Sequence, residues 1–501
     1  MKLTSWTTRA AIAASVLGAF AVIPAFADDA SDIAALKARV AELEKKEGDN
    51  WLTEARAAQI KSLVQDVLAD AKNHGQGPGD SLTAGYDNGF YLQTADGNNK
   101  LVVGGFAQVR FTAVQHNANI KGTSNTTSDG FEVRRARVNF SGNIVNKDIT
   151  FKLEGDFYGG NYLTGSTVSN GTVTATTGSS GPFNVTDAYI GYRVNDAVKF
   201  RVGSFKVPFT KVELTPDTGL DFVERPEVNS PFDPVRALGL SLYGDIIKDQ
   251  LGYEVNANDG AKSNVFRLED TTGTTPNLDN RLAFYARVQY AGAGKISDFA
   301  DEADLRKDNS SFIWLAGLAG GYESQSANPT PSPQTSLVVQ GLSNQTTPGY
   351  ANVTVNGDVY RATADLSAKW QGWSFITAAY FQQLNQTVPL APVLPHGTSE
   401  FEFGGYGQAG YFIVPPKFTS SSPTGGLELV GRAGVLSSER GPNSAEYFSL
   451  GANYYISGHN AQIGADVTYS PDAAYTDTSN ATAQIVNTSE ILARIQFQLK
   501  F

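Results

Sequence analysis

The chain has 501 residues, a formal net charge of -11, 41% hydrophobic and 18% charged residues, and no cysteine. Without cysteine there is no disulfide framework, zinc–thiolate cluster or thiol nucleophile, and the acidic balance speaks against nucleic-acid binding. The length exceeds that of a usual soluble domain, whereas a large β-barrel uses such a length as one unit.

Residues 1–27 read as a secretory signal peptide. Lys2 and Arg9 supply the charged start, Ala10 to Ile23 the apolar stretch, and Ala25-Phe26-Ala27 a small-x-small cleavage site before Asp28. An uncleaved inner-membrane anchor is the alternative. Residues 28–80 follow a helical pattern. Ile33, Leu36, Val40 and Leu43 have coiled-coil spacing, and Trp51, Ala55, Ile60, Leu63, Val64, Val67 and Leu68 continue it until Gly75, Gly77, Pro78 and Gly79. This segment is expected to be a periplasmic helical or coiled-coil element. Oligomerisation, a spacer and an envelope anchor all remain open as its role.

Residues 81–501 are expected to form an all-β, transmembrane antiparallel barrel. After the signal no run approaches the roughly 20 apolar residues of a membrane helix, so a bilayer can be crossed only by a closed barrel. A soluble sandwich would also alternate, but it would not end its strands in aromatic residues. From about residue 100 the side chains alternate. Ile149, Phe151, Leu153 and Phe157 oppose Thr150, Lys152, Glu154 and Asp156. Leu282, Phe284, Ala286, Val288 and Tyr290 oppose Arg281, Tyr285, Arg287 and Gln289. Tyr360, Ala362, Ala364, Leu366, Ala368 and Trp370 oppose Arg361, Thr363, Asp365, Ser367 and Lys369. Roughly sixteen such segments occur, joined by alternately short and long links, which places both ends in the periplasm. The link 292–310 is too long for a periplasmic turn and is expected to fold inward or pack on the rim. The last segment alternates up to a terminal Phe501, which looks like an outer-membrane assembly signal.

Taking the polar face as the lumen, Arg110, Arg135, Arg137, Lys152, Arg193, Arg201, Arg281, Arg287 and Arg361 are candidate pore-lining, anion-binding residues, with Lys369, Arg432 and Arg494 on the same face. Glu154, Asp156, Asp187, Glu254, Asp365, Glu402, Glu428 and Asp466 share that face and can pair with them. Cation rings favour anions, and the arginine fork suits phosphate. In 131–140, Arg134 and Glu132 fall on the apolar side by parity, so they must lie beyond the membrane band or at a bulge. The third long link, around 205–236, mixes proline, aromatics and charge. If it folds inward, Lys206, Lys211, Arg225 and Arg236 are constriction candidates.

The pieces GFEVRRARVNFSG, DAYIGYR and FRVGSFKVPFTKVELTPDTGLDFVERP resemble the phosphate-selective porin family (porins O and P), mostly over residues 101–245. The resemblance implies a sixteen-stranded homotrimer in the outer membrane of a Gram-negative bacterium, surrounded by outer-membrane lipid and inserted by the barrel-assembly machinery. It further implies passage of phosphate or other small anions, with Arg135 and Arg137 facing the pore. No cofactor or metal is expected. A general or cation-preferring pore and a structural anchor are the alternatives. A barrel enzyme is disfavoured, because the histidines are only His74, His116, His396 and His459 and no G-x-S-x-G elbow occurs.

Overall fold

The computed structural model describes residues 82–87, 89–118, 126–157, 162–169, 172–178, 184–260, 282–325, 334–337, 351–354, 357–386, 399–419, 422–438, 445–477 and 484–501. The expected signal peptide and helical segment (1–27, 28–80) and Arg281 lie outside these residues.

One antiparallel sheet holds eighteen strands, two of which form a short hairpin at its rim. The other sixteen form a barrel. In chain order they are β1 (Lys100–Ala118), β2 (Thr126–Asn143), β3 (Ile149–Asp156), β4 (Asn184–Arg193), β5 (Lys199–Lys206), β6 (Arg236–Ile247), β7 (Leu251–Asn258), β8 (Ala283–Ala293), β9 (Ile313–Gln325), β10 (Gly357–Trp370), β11 (Trp373–Gln386), β12 (Ser399–Val414), β13 (Gly426–Ser438), β14 (Ala445–Ser457), β15 (Ala461–Asp477) and β16 (Gln484–Lys500). Each pairs with its neighbours in sequence, and β16 pairs with β1 from Lys500↔Phe106 to Thr488↔Ala118. Closure leaves no unpaired edge along this ring, which is the condition for a sheet in a bilayer. Phe501 completes the seam: its N–H donates to the Gly105 carbonyl and its carbonyl accepts from the Gly105 N–H, both at 2.9 Å. Among the described residues no helix is long and apolar enough to cross a membrane.

The barrel is inside-out relative to a soluble protein, and β10 shows why. Its even-numbered residues Tyr360 to Trp370 point outward, whereas Val359, Arg361, Thr363, Asp365, Ser367 and Lys369 point inward and are buried. Outward aromatics gather at both ends of the strands. At one end Trp373 stacks on Tyr411 (ring centroids 4.4 Å apart) and Tyr290 meets Trp314 (5.8 Å). At the other, Tyr322 meets Tyr360 (5.2 Å) and Phe111 meets Phe131 (4.9 Å). Ten residues separate Tyr360 from Trp370. At about 3.4 Å per residue and a tilt of about 40°, that is about 25 Å, the height of a lipid-facing band. The short turn Gln371–Gly372 has positive φ at both residues (48° and 81°), as a two-residue hairpin between twisted strands requires.

The rim hairpin, Leu82–Tyr86 and Phe90–Thr94, extends the sheet beyond the seam by pairing Phe90–Gln93 with Lys100–Val103. Each arm has only five residues, too few to show an alternation in the sequence. Both unusual links fold into the barrel. The link after β5, residues 207–235 (L3), buries Val207, Phe209, Leu220, Phe222, Val223, Val228 and Phe232. A surface loop would leave these apolar side chains in water. The link after β8 enters from the opposite end and buries Phe299 and Ala303.

Candidate functional site

L3 leaves β5 at Lys206 and returns to β6 at Arg236, and its neck is closed by the Val207 N–H to the Val235 carbonyl (3.0 Å). Thr210 caps a single helical turn, Lys211–Leu214 (α1), accepting the Glu213 N–H, and Pro216 stops its continuation. L3 then crosses the lumen and touches wall after wall.

On one side its apolar residues meet inward apolar residues of the wall. Val228 and Phe232 pack with Ile376, Ala378, Tyr380, Tyr406, Leu436 and Tyr447 from β11–β14, and Phe232 stacks on Tyr380 at 5.5 Å. Here the polar-inside rule fails because the lumen is filled by protein rather than water. The sequence carried that signal: β11 is apolar on both faces around Ile376, Ala378 and Tyr380. The inward turn after β8 fills the same half. Lys369 donates to the carbonyls of Asp298 and Asp301 (both 2.8 Å), Lys211 to that of Phe299 (2.7 Å), and the Glu302 N–H to Gly219 of L3 (2.9 Å). At this junction Glu302 accepts from the Asp221 N–H (2.9 Å) and Gln408 (3.0 Å). Burial and the neighbouring Glu428 and Glu302 carboxylates push Asp221 well above the usual carboxylate range.

On the opposite side L3 faces arginines. The register of β1 against β2 runs Gln108↔Arg135 and then Val109↔Val133, so Arg134 is an extra, bulged residue. The bulge resolves the parity conflict of 131–140. Beyond it Glu132 pairs across from Arg110 and faces inward, forming an ion pair with it. The bulge also lets two consecutive arginines reach one carboxylate. Glu224 accepts from Arg110 Nη1 (2.7 Å), Arg134 Nε (2.5 Å) and Arg135 Nη2 (2.9 Å). Arg137 donates to Asp217 of L3 (2.6 Å) and Asp156 of β3 (3.0 Å). Burial opposes the charge on both L3 acids. Arg135 with Arg225 and Arg137 at Asp217, and Arg135 with Arg134 and Arg110 at Glu224, nevertheless hold them well below the carboxylate range.

The sequence-derived cations therefore fall into groups. Arg110, Arg135, Arg137, Lys152 and Arg201 line the β1–β5 wall, Lys152 against Asp187 (2.6 Å) and Arg201 against Glu254 and the rings of Phe205 and Tyr243. Arg193 lies at the rim on Asp148 (2.9 Å). Arg287 and Arg361 belong to the filled half: Arg287 forks onto Asp365 (2.7 and 2.8 Å), and Arg361 holds Glu323 (2.7 Å). Arg432 and Arg494 behave alike, on Glu227 and Asp466. The side chains of Arg287, Arg361, Arg432 and Arg494 are at most 5% exposed, whereas Arg134, Lys152 and Lys199 keep 33%, 27% and 23%. Solvent thus reaches Arg134, Lys152 and Lys199, whereas Arg110, Arg135 and Arg137 are covered by L3 to 11%, 8% and 12% exposure.

The four constriction candidates cluster at the root of L3, where Lys206 and Arg225 hold its backbone and Lys211 and Arg236 tie it to neighbouring elements. Lys206 donates to the Glu213 and Thr215 carbonyls, Lys211 to Phe299, Arg225 to the Val212 and Thr215 carbonyls and Asp217, and Arg236 to Asp187 (2.7 Å). Reading the sequence singled out none of the acids of L3. Asp217 and Glu224 stand tens of residues from their partners on the barrel wall, and a loop without periodicity does not say where its side chains point.

Residues 108–295 match the family model described as phosphate-selective porin O and P. Among the solved structures that resemble the chain are the following three. The anion-selective porin from Comamonas acidovorans is 11% identical (80% of this chain, 99% of that one, TM-score 0.46). OmpT of Vibrio cholerae, an outer-membrane protein, is 12% identical (80% and 98%, TM-score 0.42). The outer membrane channel DcaP of Acinetobacter baumannii is 13% identical (79% and 97%, TM-score 0.42). No curated protein matches. The family match spans β1 to β8 and L3, which includes the bulge and its carboxylate partners. Over residues 108–295 the chain is thus similar to the phosphate-selective porins, and its closed sixteen-stranded barrel is an architecture able to span an outer membrane.

Proposed function

We propose that the protein is an outer-membrane porin that passes small anions, phosphate among them, along the β1–β7 side of the lumen, between the arginine wall and L3. The observation that carries the proposal is the bulge at Arg134, which turns Arg134 and Arg135 onto a single point beside Arg110 and Arg137. Guanidiniums stay charged at every relevant pH, and these are fixed by the strand ladder, whereas Glu224 and Asp217 are carried by a loop. An entering anion meets rigid positive charge that offers forked donors. Lys152, Lys199 and Arg201 continue the path toward the end of the barrel where the short turns lie.

In this proposal Phe501 is the signal read by the assembly machinery, residues 1–27 direct export, and residues 28–80 form a periplasmic segment of a homotrimer embedded in outer-membrane lipid. Crosslinking of the purified protein tests the trimer. The zero-current potential of purified protein in a planar bilayer under a KCl gradient tests the selectivity. A potential on the chloride side is expected, and one on the potassium side removes the proposal in favour of a cation-preferring pore.

A further inference from the structure

We infer that Glu224 is a tethered anion that occupies the solute cradle of Arg110, Arg134 and Arg135, so that its charge sets how strongly an anion is held there. The inference rests on the anion-conducting function proposed above.

Glu224 Oε1 accepts from Arg110 Nη1 and Arg134 Nε, and Oε2 from Arg135 Nη2. A carboxylate with both oxygens engaged by guanidinium forks uses the same donors as a carboxylate or phosphate solute. The charges make it a partial plug. Three arginines converge, and Glu132 on Arg110, Asp217 at 3.6 Å from Arg135, and Glu224 offset their charge. The cradle is close to neutral with Glu224 in place and becomes a positive anion site without its charge. A permeating oxyanion must share or displace the Glu224 carboxylate, and Glu224 returns when the anion leaves. This speeds release from a site that would otherwise hold its solute too tightly, since conduction needs binding weak enough to leave.

The backbone around Glu224 is anchored separately. The Val223 N–H donates to Asp466 (3.1 Å), the Glu224 carbonyl accepts from Arg432 (3.1 Å), and Arg225 is tied to the root of L3 through Val212 (3.0 Å) and Thr215 (2.9 Å). The side chain can change without freeing the loop.

The experiment uses full-length purified protein in planar bilayers, with heat-modifiable migration confirming a folded barrel. Two readouts are taken: the zero-current potential in a KCl gradient, and the concentration of inorganic phosphate that halves the chloride current. Glu224→Gln is expected to move the potential toward chloride and to lower the half-blocking phosphate concentration about tenfold, the effect of about one charge-assisted hydrogen-bond partner set free. Glu224→Asp keeps the charge with a shorter reach and is expected to move the potential less than Glu224→Gln does. Because the chain has no cysteine, Glu224→Cys gives an independent arm. It should behave like Glu224→Gln, and labelling with a sulfonate-bearing methanethiosulfonate should restore the wild-type potential. Wild-type potential and block in both Glu224→Gln and unlabelled Glu224→Cys overturn the inference while leaving the anion proposal standing. A cation-selective wild type removes both.

Discussion

The pair Arg287–Asp365 separates struts from solute contacts. It spans β8 and β10 across β9, with bonds of 2.7 and 2.8 Å, and the same guanidinium donates to the Phe209 carbonyl at the start of L3 (2.9 Å). Gly317 of β9 makes the room: a Cβ there would lie 2.2 Å from Arg287 Nη2 and 2.6 Å from Asp365 Oδ1. Both side chains are almost wholly buried. Arg287→Met leaves the Asp365 carboxylate without its fork, and breaking a buried pair in this way costs about 3–5 kcal/mol. Replacing both partners with apolar residues removes the stranded charge. Arg287→Met/Asp365→Leu should therefore recover most of the loss, to within about 1.5 kcal/mol of wild type, the remainder being the bond to Phe209. The assay is reversible urea unfolding of the barrel in lipid vesicles, followed by tryptophan fluorescence. The zero-current potential should be unchanged in both variants. A double variant as unstable as the single one, or a selectivity change in either, refutes the assignment of Arg287 as a strut.

Arg134→Gln and Arg135→Ala should each raise the half-blocking phosphate concentration about tenfold in planar-bilayer recordings, with the barrel still folded. Burial pushes Lys211 down to about 8, below its unfolded value near 10.4. The unfolded chain then binds more protons between these values, so stability contributed here rises from pH 8 to 10 and is lost as pH falls through 8. Lys211→Met should flatten that slope in urea titrations. Burial and the neighbouring Glu213 push Asp233 up to about 7, so its contribution is present at acidic pH and lost as pH rises through 7. Asp233→Asn should remove that loss in the same titrations. In Gly105→Val a Cβ would sit 2.6 Å from the Arg137 carbonyl and 2.8 Å from the Phe501 ring. The heat-modifiable, folded fraction after refolding should fall severalfold, because the barrel's closing seam is obstructed.

Much of the barrel was legible because its physics is local. A strand between lipid and lumen must alternate, so β10 could be divided into faces residue by residue, and the count of sixteen followed from repeating that rule. The parity conflict at Glu132 and Arg134 left two explanations, a position beyond the membrane band or a bulge, and Arg134 is bulged. The filling of the lumen was legible only in part. The link 292–310 stood out by its length, and L3 by its prolines and aromatics, but which acid meets which arginine depends on a loop crossing the barrel. Parity therefore treated Arg287 and Arg361 as equals of Arg135. The structure sets them apart by partner, because Arg135 meets an acid of L3, whereas Arg287 and Arg361 meet acids of nearby strands. Glu224, on which three arginines converge, gave no sign in the sequence beyond being one acid among many.

In the proposed pore, solute moves along the β1–β7 wall and not through the filled half. Single cysteines in this cysteine-free chain test it directly. An anionic methanethiosulfonate added during recording should reduce the current through Lys152→Cys and Lys199→Cys and leave Ser367→Cys and Ser449→Cys unaffected, since Ser367 and Ser449 are buried on the filled side. Rapid modification with loss of current at Ser367→Cys or Ser449→Cys, and none at Lys152→Cys, would contradict the account.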